Sequence, residues 1–576
     1  MDNQMERETE VGETWAREEE IVRDLRSVLG EKLLEAEIPT KRRVFVKVAE
    51  GAHREAISML VDSGVWHLST ISGVDTGDGF EVVYHIFDHN RGVEVNIKSP
   101  VPRDNPEIQT ITDLIPGSSI YEREIMDLLG IRFPGHPNPR RVILPEDWPP
   151  DQYPLRKDWK PEQLTKASRR YAEIPTKPGQ VILQVGPQHP ALKEPINFEV
   201  VVEGEVVVDF IPHIEYNHRG VEKAFEERTY LQGIYLAERI CGICGHSHTT
   251  VFVEAVEQLA DVRAPPRGRF IRTIVAEMER IHSHILWLGV AMHLIGWDTM
   301  LMYSWRDREV IMDLLELVSG NRVNYAMNTL GGVRRDIRND QIHKIRKGLD
   351  ILEKRTLEYR DICLKEDTLM KRALGVGIVK PELAKKMCAV GPLIRSSGVK
   401  TDVRYDDPSV GCYEELSGHW SVVTSDLCDI VGRVLVRVDE VLESIKMLRW
   451  MLDNLPNGPI REKVPKKIPE GEAVARYEAP RGEVIHYIRS NGTDKPDRVK
   501  VRAPTWGNYS AIFESMKGLY IADIPINFGS IDPCMACASR TTFVDVSHSK
   551  PKKWTWTMEQ LVEYGIRWYE NRGYKR

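Results

Sequence analysis

The chain has 576 residues, with 79 Lys and Arg against 86 Asp and Glu, a net charge of −7. That length implies several domains, and the acidic balance argues against a nucleic-acid protein, which would carry a basic surplus. Eight cysteines, four of them standing singly (Cys363, Cys388, Cys412 and Cys428), and an acidic, polar stretch from Met1 to Arg26 argue against a secreted disulfide framework.

Residues 1–160 read as an α+β domain. Arg43 to Ala49 alternates like a strand, and 52–63 carries a helical pattern. Val65 to Ile71 and Phe80 to Phe87 are rich in β-branched and aromatic residues, and the turn from Asp75 to Gly79 separates them. A charged run follows from Tyr121 to His136, with Arg140, Arg141 and Pro154 to Asp158 after it. Taken singly, these charges read as a solvated docking surface. Seven prolines fall within 145–178. Proline breaks helices and strands, so an extended segment lying along a surface is expected, with the linker proper at 161–178.

Residues 179–540 change character. Val181 to Val185 and Phe198 to Val208 look like strands around a turn. Long helical stripes then dominate: Ile342, Ile345, Leu349 and Leu352, and later Leu427, Val431, Val434, Val438, Val441, Ile445, Leu448 and Leu452 before Pro456 and Gly458. Such stripes are the core of a bundle. From about 470 short strands and turns return. The expected architecture is therefore an α+β domain followed by a mainly α helical-bundle core with small flanking β/α segments. The most apolar stretch, His284 to Trp297, holds two histidines and is shorter than the roughly 20 residues a bilayer needs. The chain is expected to be soluble by itself, with membrane association only through partners.

Two Cys-x-x-Cys pairs stand far apart, Cys241 with Cys244 and Cys534 with Cys537. Each can set two thiolates on one metal. Structural zinc uses the same donors, but zinc ribbons space their pairs roughly 15–20 residues apart, and a chain of this length needs no metal staple. Two Glu-x-x-His spacings invite a di-iron reading and fail. Glu279 to His282 lacks a second helical copy and two further glutamates, and Glu483 to His486 lies in a strand-like stretch.

The contexts of the two pairs differ: Arg239-Ile-Cys241-Gly-Ile-Cys244 with His248 beyond it, and Asp532-Pro533-Cys534-Met-Ala-Cys537. Together they resemble the large subunit of nickel–iron hydrogenases. The segment Tyr121 to Pro137 resembles the thirty-kilodalton-type subunit of respiratory complex I. Gly186-Pro-Gln-His189-Pro, the run His213 to Glu222, and Arg306-Asp-Arg308-Glu309 resemble the forty-nine-kilodalton-type subunit, which lacks the four cysteines. Both likenesses in one chain point to the membrane-associated, energy-converting hydrogenases of the formate hydrogenlyase type, hydrogenases 3 and 4.

This resemblance implies a nickel–iron centre with carbon monoxide and cyanide on the iron, forming or cleaving dihydrogen. Cys241 and Cys534 would be terminal on nickel, and Cys244 and Cys537 would bridge the metals. His248 would donate a hydrogen bond near a bridging sulfur, with Arg239 in support. Arg481, in Ala479-Pro-Arg-Gly-Glu483, would reach over the open face of the metals and pair with Asp532. Asp298, in Gly296-Trp-Asp-Thr299, would be a second buried aspartate. Glu194 would relay protons beside a terminal cysteine, making Glu194, Arg481 and Cys534 the catalytic groups. His189 and His246 receive no role.

The other cysteines lack cluster spacing, so iron–sulfur clusters belong to partners. The implied partners are an iron–sulfur small subunit like the twenty-kilodalton-type subunit of complex I, a ferredoxin-like subunit, antiporter-like membrane subunits and a formate dehydrogenase, at the cytoplasmic face. Arg540 stands where standard hydrogenases have histidine. Residues 541–576 then correspond to an extension cut off after Arg540 by a maturation endopeptidase. Two competitors remain: a quinone-linked complex I-like subunit, with no need of the four cysteines, and a zinc-bearing scaffold.

Overall fold

A computed structural model describes residues 15–145, 148–164, 176–189 and 192–538. Arg540, the extension 541–576 and the expected cleavage point lie outside the described residues, as does 165–175 of the linker.

Five strands form the first sheet: β1 (Leu33–Thr40), β2 (Arg43–Val48), β3 (His67–Asp75), β4 (Gly79–Asp88) and β5 (Val93–Pro102). Their order is β1-β2-β5-β4-β3, antiparallel except where β2 meets β5. Helices α1 (Ala16–Leu29), α2 (His53–Asp62) and α3 (Ser119–Leu129) join this domain. Side chains alternate across a strand, and β4 uses both of its faces. Val82, Tyr84 and Ile86 pack with the helices, including Ile21, Ile57 and Ile125. Val83 joins a separate apolar cluster with Phe45, Val74, Val474, Ile485 and Tyr487. The sheet is thus covered on its second face by the C-terminal part of the chain, and every residue of β3 is buried.

Residues 155 and 156, in the first part of the proline-rich stretch, lie along this domain. Leu155 donates its N–H to the carbonyl of Leu128, and the Arg156 guanidinium sits 4.9 Å over the Phe80 ring.

A second three-stranded sheet follows, β6 (Gln180–Val185), β7 (Asn197–Glu203) and β8 (Val206–His213), antiparallel throughout. Helices α4 (Tyr230–Glu238) and α5 (Gly245–Leu259) lead into a bundle of α6 (Pro266–Leu294), α7 (Asp298–Ser319), α8 (Asn339–Lys365) and α9 (Ile430–Asp453). Between α7 and α8 a two-residue ladder pairs β9 (Asn328–Thr329) with β10 (Gly332–Val333). In the bundle α6 packs on α7 and α9, and α8 packs on the same two. The α6–α7 approach is close enough that a Cβ on Gly289 would lie 2.4 Å from Ser304 Oγ.

The stripe Ile345, Leu349 and Leu352 is buried, and so is Val431 to Leu452. Leu427, expected in that stripe, is exposed. It precedes the cap of α9, where the Asp429 carboxylate accepts the N–H of Gly432 at 2.9 Å, so the helical period starts only after it.

The helical bundle is joined by strands, so the core has mixed α and β content. Strands β11 (Gly471–Ala479), β12 (Gly482–Ser490) and β13 (Pro496–Arg502) form an antiparallel meander. It packs against α5, and its β11–β12 turn is buried. Helix α10 (Pro504–Glu514) and a final helical turn, α11 (Met535–Ala538), complete the described chain. No helix among the described residues is long and apolar enough to cross a membrane.

Candidate metal centre

Four thiols meet between the start of α5 and α11. Cys241 follows α4, and Cys244 is the residue preceding the first turn of α5. Cys534 and Cys537 flank and occupy α11. The Sγ atoms of Cys241 and Cys534 are 3.7 Å apart, and those of Cys534 and Cys537 are 3.0 Å apart. The sulfurs of Cys241, Cys534 and Cys537 all lie within 4.8 Å of one another, as do those of Cys244 and Cys537 with a ring nitrogen of His248. Metal–thiolate bonds of about 2.3 Å place neighbouring sulfurs of one coordination sphere at about these separations. All four are buried.

The local backbone favours thiolate. Cys241 Sγ accepts the N–H groups of Ile243 at 3.3 Å and Cys244 at 3.1 Å, and the positive end of α5 begins there. Hydrogen bonds from Cys244, Cys534 and Cys537 push the Cys241 thiol well below its usual pKa, against burial. The same sharing raises Cys244 and Cys534, while burial raises Cys537. A soft cation would replace these competing protons.

Arg481 is buried beside the sulfurs. Its Nε donates to the carbonyl of Asp532 at 2.6 Å, and Nη2 lies 2.9 Å from the Asp532 carboxylate. Nη1 is buried and has no hydrogen-bond partner among the described residues. Burial opposes the Arg481 charge, but Asp532 and the thiolates of Cys241, Cys244 and Cys534 more than restore it. Burial would likewise raise the Asp532 pKa, yet Arg481, Lys193 and Arg437 hold it at about 2. Lys193 Nζ is 2.9 Å from that carboxylate. Glu194, half-buried, accepts the N–H of Ala536 at 2.8 Å, between the two late cysteines. His248 lies one turn into α5, and its Nδ1 is 3.2 Å from His486 Nε2 on β12. A soft, four-sulfur donor set with an orphaned guanidinium N–H over it and a carboxylate at its edge fits a thiolate-held redox metal.

Residues 219–339 match the nickel-dependent hydrogenase family. Formate hydrogenlyase subunit 5 of Escherichia coli strain K12 is 35% identical over 526 residues, covering 89% of this chain and 92% of the relative. The chain belongs to the nickel-dependent hydrogenase family. Its remaining regions are complex I-like. Residues 46–164 match the 30 Kd subunit of respiratory-chain NADH dehydrogenase, and 295–468 and 464–540 match the 49 Kd subunit. A subunit of the NADH-quinone oxidoreductase of Phocaeicola vulgatus is 33% identical over 509 residues, 84% of this chain and 97% of that one. Among solved structures, the membrane-bound sulfane sulfur reductase, an archaeal respiratory membrane complex, aligns with TM-score 0.60 at 30% identity, covering 64% of this chain and 100% of its own.

Two expected site residues of this hydrogenase family member lie elsewhere. Asp298 is not buried: it starts α7 at the surface, two-thirds exposed, with its carboxylate 2.6 Å from His293 Nδ1. A polar residue opening a helix is held by solvent and a local partner, and a four-residue context carries no information on depth. Arg239 is also exposed, its guanidinium bonded to the Tyr235 carbonyl and Glu238. Only its backbone belongs to the site.

That backbone reveals a residue without an expected role. Arg219 donates from Nη1 to the carbonyl of Arg239 at 2.9 Å, and from Nη2 to those of Ile240 at 2.7 Å and Ala536 at 2.8 Å. One guanidinium thus ties the early cysteine segment to the late one. The run His218-Arg219-Gly220 was its visible signal. Glu279, rejected as an iron ligand, accepts the N–H groups of His246 at 2.8 Å and Ser247 at 3.0 Å, capping α5. Burial, assisted by the Cys241 charge, raises its pKa to about 8.

Proposed function

We propose that this chain is the catalytic subunit of a membrane-associated nickel–iron hydrogenase that interconverts protons and electrons with dihydrogen. The convergence of four buried thiols supports the reading most directly: Cys241, Cys534 and Cys537 are linked by contacts of 3.7 and 3.0 Å, and Cys244 lies within 4.8 Å of Cys537. Cys241 and Cys534 would hold nickel, while Cys244 and Cys537 would join it to an iron carrying carbon monoxide and cyanide. That pair, when bound, supplies the heterolytic formation and cleavage of dihydrogen.

The chain's own residues do the rest. The free Nη1 of Arg481 offers a fixed cation beside the sulfurs, where it would face the bound metals, and Asp532 holds the guanidinium in orientation. Preorganised charge of this kind costs no rearrangement during reaction. Glu194 takes a proton from the Cys534 side and passes it outward, since its carboxylate is already seated on the α11 backbone. His248, beside Cys244 and Cys537, tunes the bridging sulfurs. Electrons arrive through an iron–sulfur small subunit of the twenty-kilodalton complex I type. A ferredoxin-like subunit, antiporter-like membrane subunits and a formate dehydrogenase complete a formate hydrogenlyase-like complex at the cytoplasmic face. A maturation endopeptidase acting after Arg540 belongs to the same reading.

Metal analysis with infrared spectroscopy of the purified complex tests it. Nickel and iron with bands from iron-bound carbon monoxide and cyanide are expected. Zinc alone would make the site a structural staple. A complete complex without metal here would move the quinone-linked reading, favoured by the NADH-quinone oxidoreductase relatives, to first place.

A further inference from the structure

We infer that the N-terminal domain positions the Arg481 turn, acting through Glu483 by way of His67 and Ser69 of β3. The inference rests on Arg481 serving the metal centre. It concerns a domain whose described residues include none of the four cysteines at the centre.

The turn that carries Arg481 has two residues. Ala479 pairs with Gly482 in the β11–β12 register, leaving Pro480 and Arg481 at the tip. So short a turn leaves its side chain little freedom, and the direction of Arg481 follows the seating of the two strands. Glu483 is the second residue of β12 and the nearest ionised side chain to the tip on that strand.

Its carboxylate is bound on every side. Oε1 accepts Arg476 Nε at 2.5 Å and Ser69 Oγ at 3.3 Å. Oε2 accepts His67 Nε2 at 2.9 Å, together with Arg502 Nη2. Two of these partners belong to the same sheet as Glu483, and two to β3 of the N-terminal domain. Arg502 adds a second tie between the domains, donating from Nε to the Ser69 carbonyl at 2.6 Å and from Nη1 to the Glu483 carbonyl at 2.5 Å. The cations hold Glu483 ionised despite burial, and burial keeps His67 neutral with its pKa near 4. The ring therefore donates to the carboxylate.

The opposite side of the turn has no room to yield. A Cβ on Gly391 would lie 2.3 Å from Gly482 Cα. The turn is thus pressed between the Gly391 backbone and the Glu483 anchor. From its tip Arg481 grips Asp532, two residues before Cys534. A continuous line of contacts runs from β3 through Glu483 and Arg481 to the late cysteines. Groups that act on a reacting centre must be held to within about half an ångström, which gives this line its purpose. Other ion pairs cross the interface without meeting the turn, among them Lys98 with Glu472 at 3.0 Å, at the far end of β11. They provide an internal control.

The test uses the intact, metal-loaded complex carrying His67→Ala, His67→Gln or Lys98→Ala. Hydrogen–deuterium exchange of the backbone amides of residues 481–483 is read beside turnover and nickel content. His67→Ala is expected to speed that exchange several-fold and to lower turnover about tenfold, the scale of one lost hydrogen bond to a charged group, with nickel retained. His67→Gln, which can still donate, restores both, and Lys98→Ala changes neither. Parental exchange in His67→Ala, or equal acceleration in Lys98→Ala, overturns the inference. If His67→Ala fails to fold, Ser69→Ala takes its place, and parental exchange there overturns the inference equally. Full turnover in Arg481→Lys would instead remove the proposed role of Arg481, while the exchange pattern would still decide whether β3 holds the turn.

Discussion

Asp532 shows how tightly single residues are set around the sulfurs. Its backbone has φ of 55°, a left-handed conformation that side chains other than glycine rarely adopt. Strain of that kind persists where surrounding contacts over-determine it, and here Arg481 and Lys193 grip the carboxylate. Its folded pKa lies near 2, below the ordinary 3.8. The stabilisation is therefore complete above about 3.8 and is lost as pH falls toward 2. Asp532→Asn should remove that acid-dependent component from the unfolding curve and loosen Arg481. Cys241→Ser substitutes a hard oxygen for a soft sulfur and should abolish nickel retention, measured by elemental analysis of the purified complex. Glu194→Gln should keep nickel but slow proton exchange with dihydrogen by about a hundredfold, the low end for a lost acid–base group. Unchanged exchange in that variant would exclude the relay.

Among the elements, sequence period was informative wherever burial followed a regular face. The α2 helix and the α9 stripe from Val431 were legible because one repeat decided each of them, and Arg43 to Val48 read as a strand from its alternating residue types although both of its faces are buried. The edge strand β1 was not, since its residues are only partly buried or exposed and impose no strong alternation. Nor was β13, where Arg498, Lys500 and Arg502 alternate as on a solvated face. All three are buried and reach the N-terminal domain, at the Gly73 carbonyl, Glu124 and the Ser69 carbonyl. The cysteine spacing announced a metal, but Arg219 acts only through carbonyls, and a sequence does not say which carbonyls a guanidinium will meet. Arg219→Ala should lower thermal stability and nickel retention together. Arg219→Lys should recover only part of both, since an ammonium cannot match the fork geometry of guanidinium. In the bundle, Leu349→Ala should cost about 2–5 kcal/mol in chemical denaturation, as for other fully buried leucines.

Over the whole molecule, the two complex I-like parts are joined through buried charge as much as through apolar contact. Arg43 pairs with Asp407 at 2.8 Å, Arg476 with Glu94 at 3.3 Å, and Lys500 with Glu124 at 2.5 Å. Removing one partner of such a pair strands the other in a dry setting, so the domains are expected to unfold as one unit. The interface also carries a pH term. His67 is held near pKa 4, below its ordinary 6.5. The unfolded chain takes up a proton between those values that the fold refuses, so stability falls as pH drops from about 6.5 to about 4. His67→Gln should lose less melting temperature than the parent over that interval, and an equal loss would show that His67 is not held neutral.

The cysteines that meet across 3.7 Å are 293 residues apart in the chain. At about 5–20 residues per second, a ribosome needs roughly 15–60 s to travel from the first pair to the second. During that interval Cys241 and Cys244 exist without their counterparts. A metal ion delivered early finds two sulfurs instead of four and no Arg481 turn above them. A centre that uses all four sulfurs can be completed only once Cys534 and Cys537 have been made, with the first half of the site in place long before.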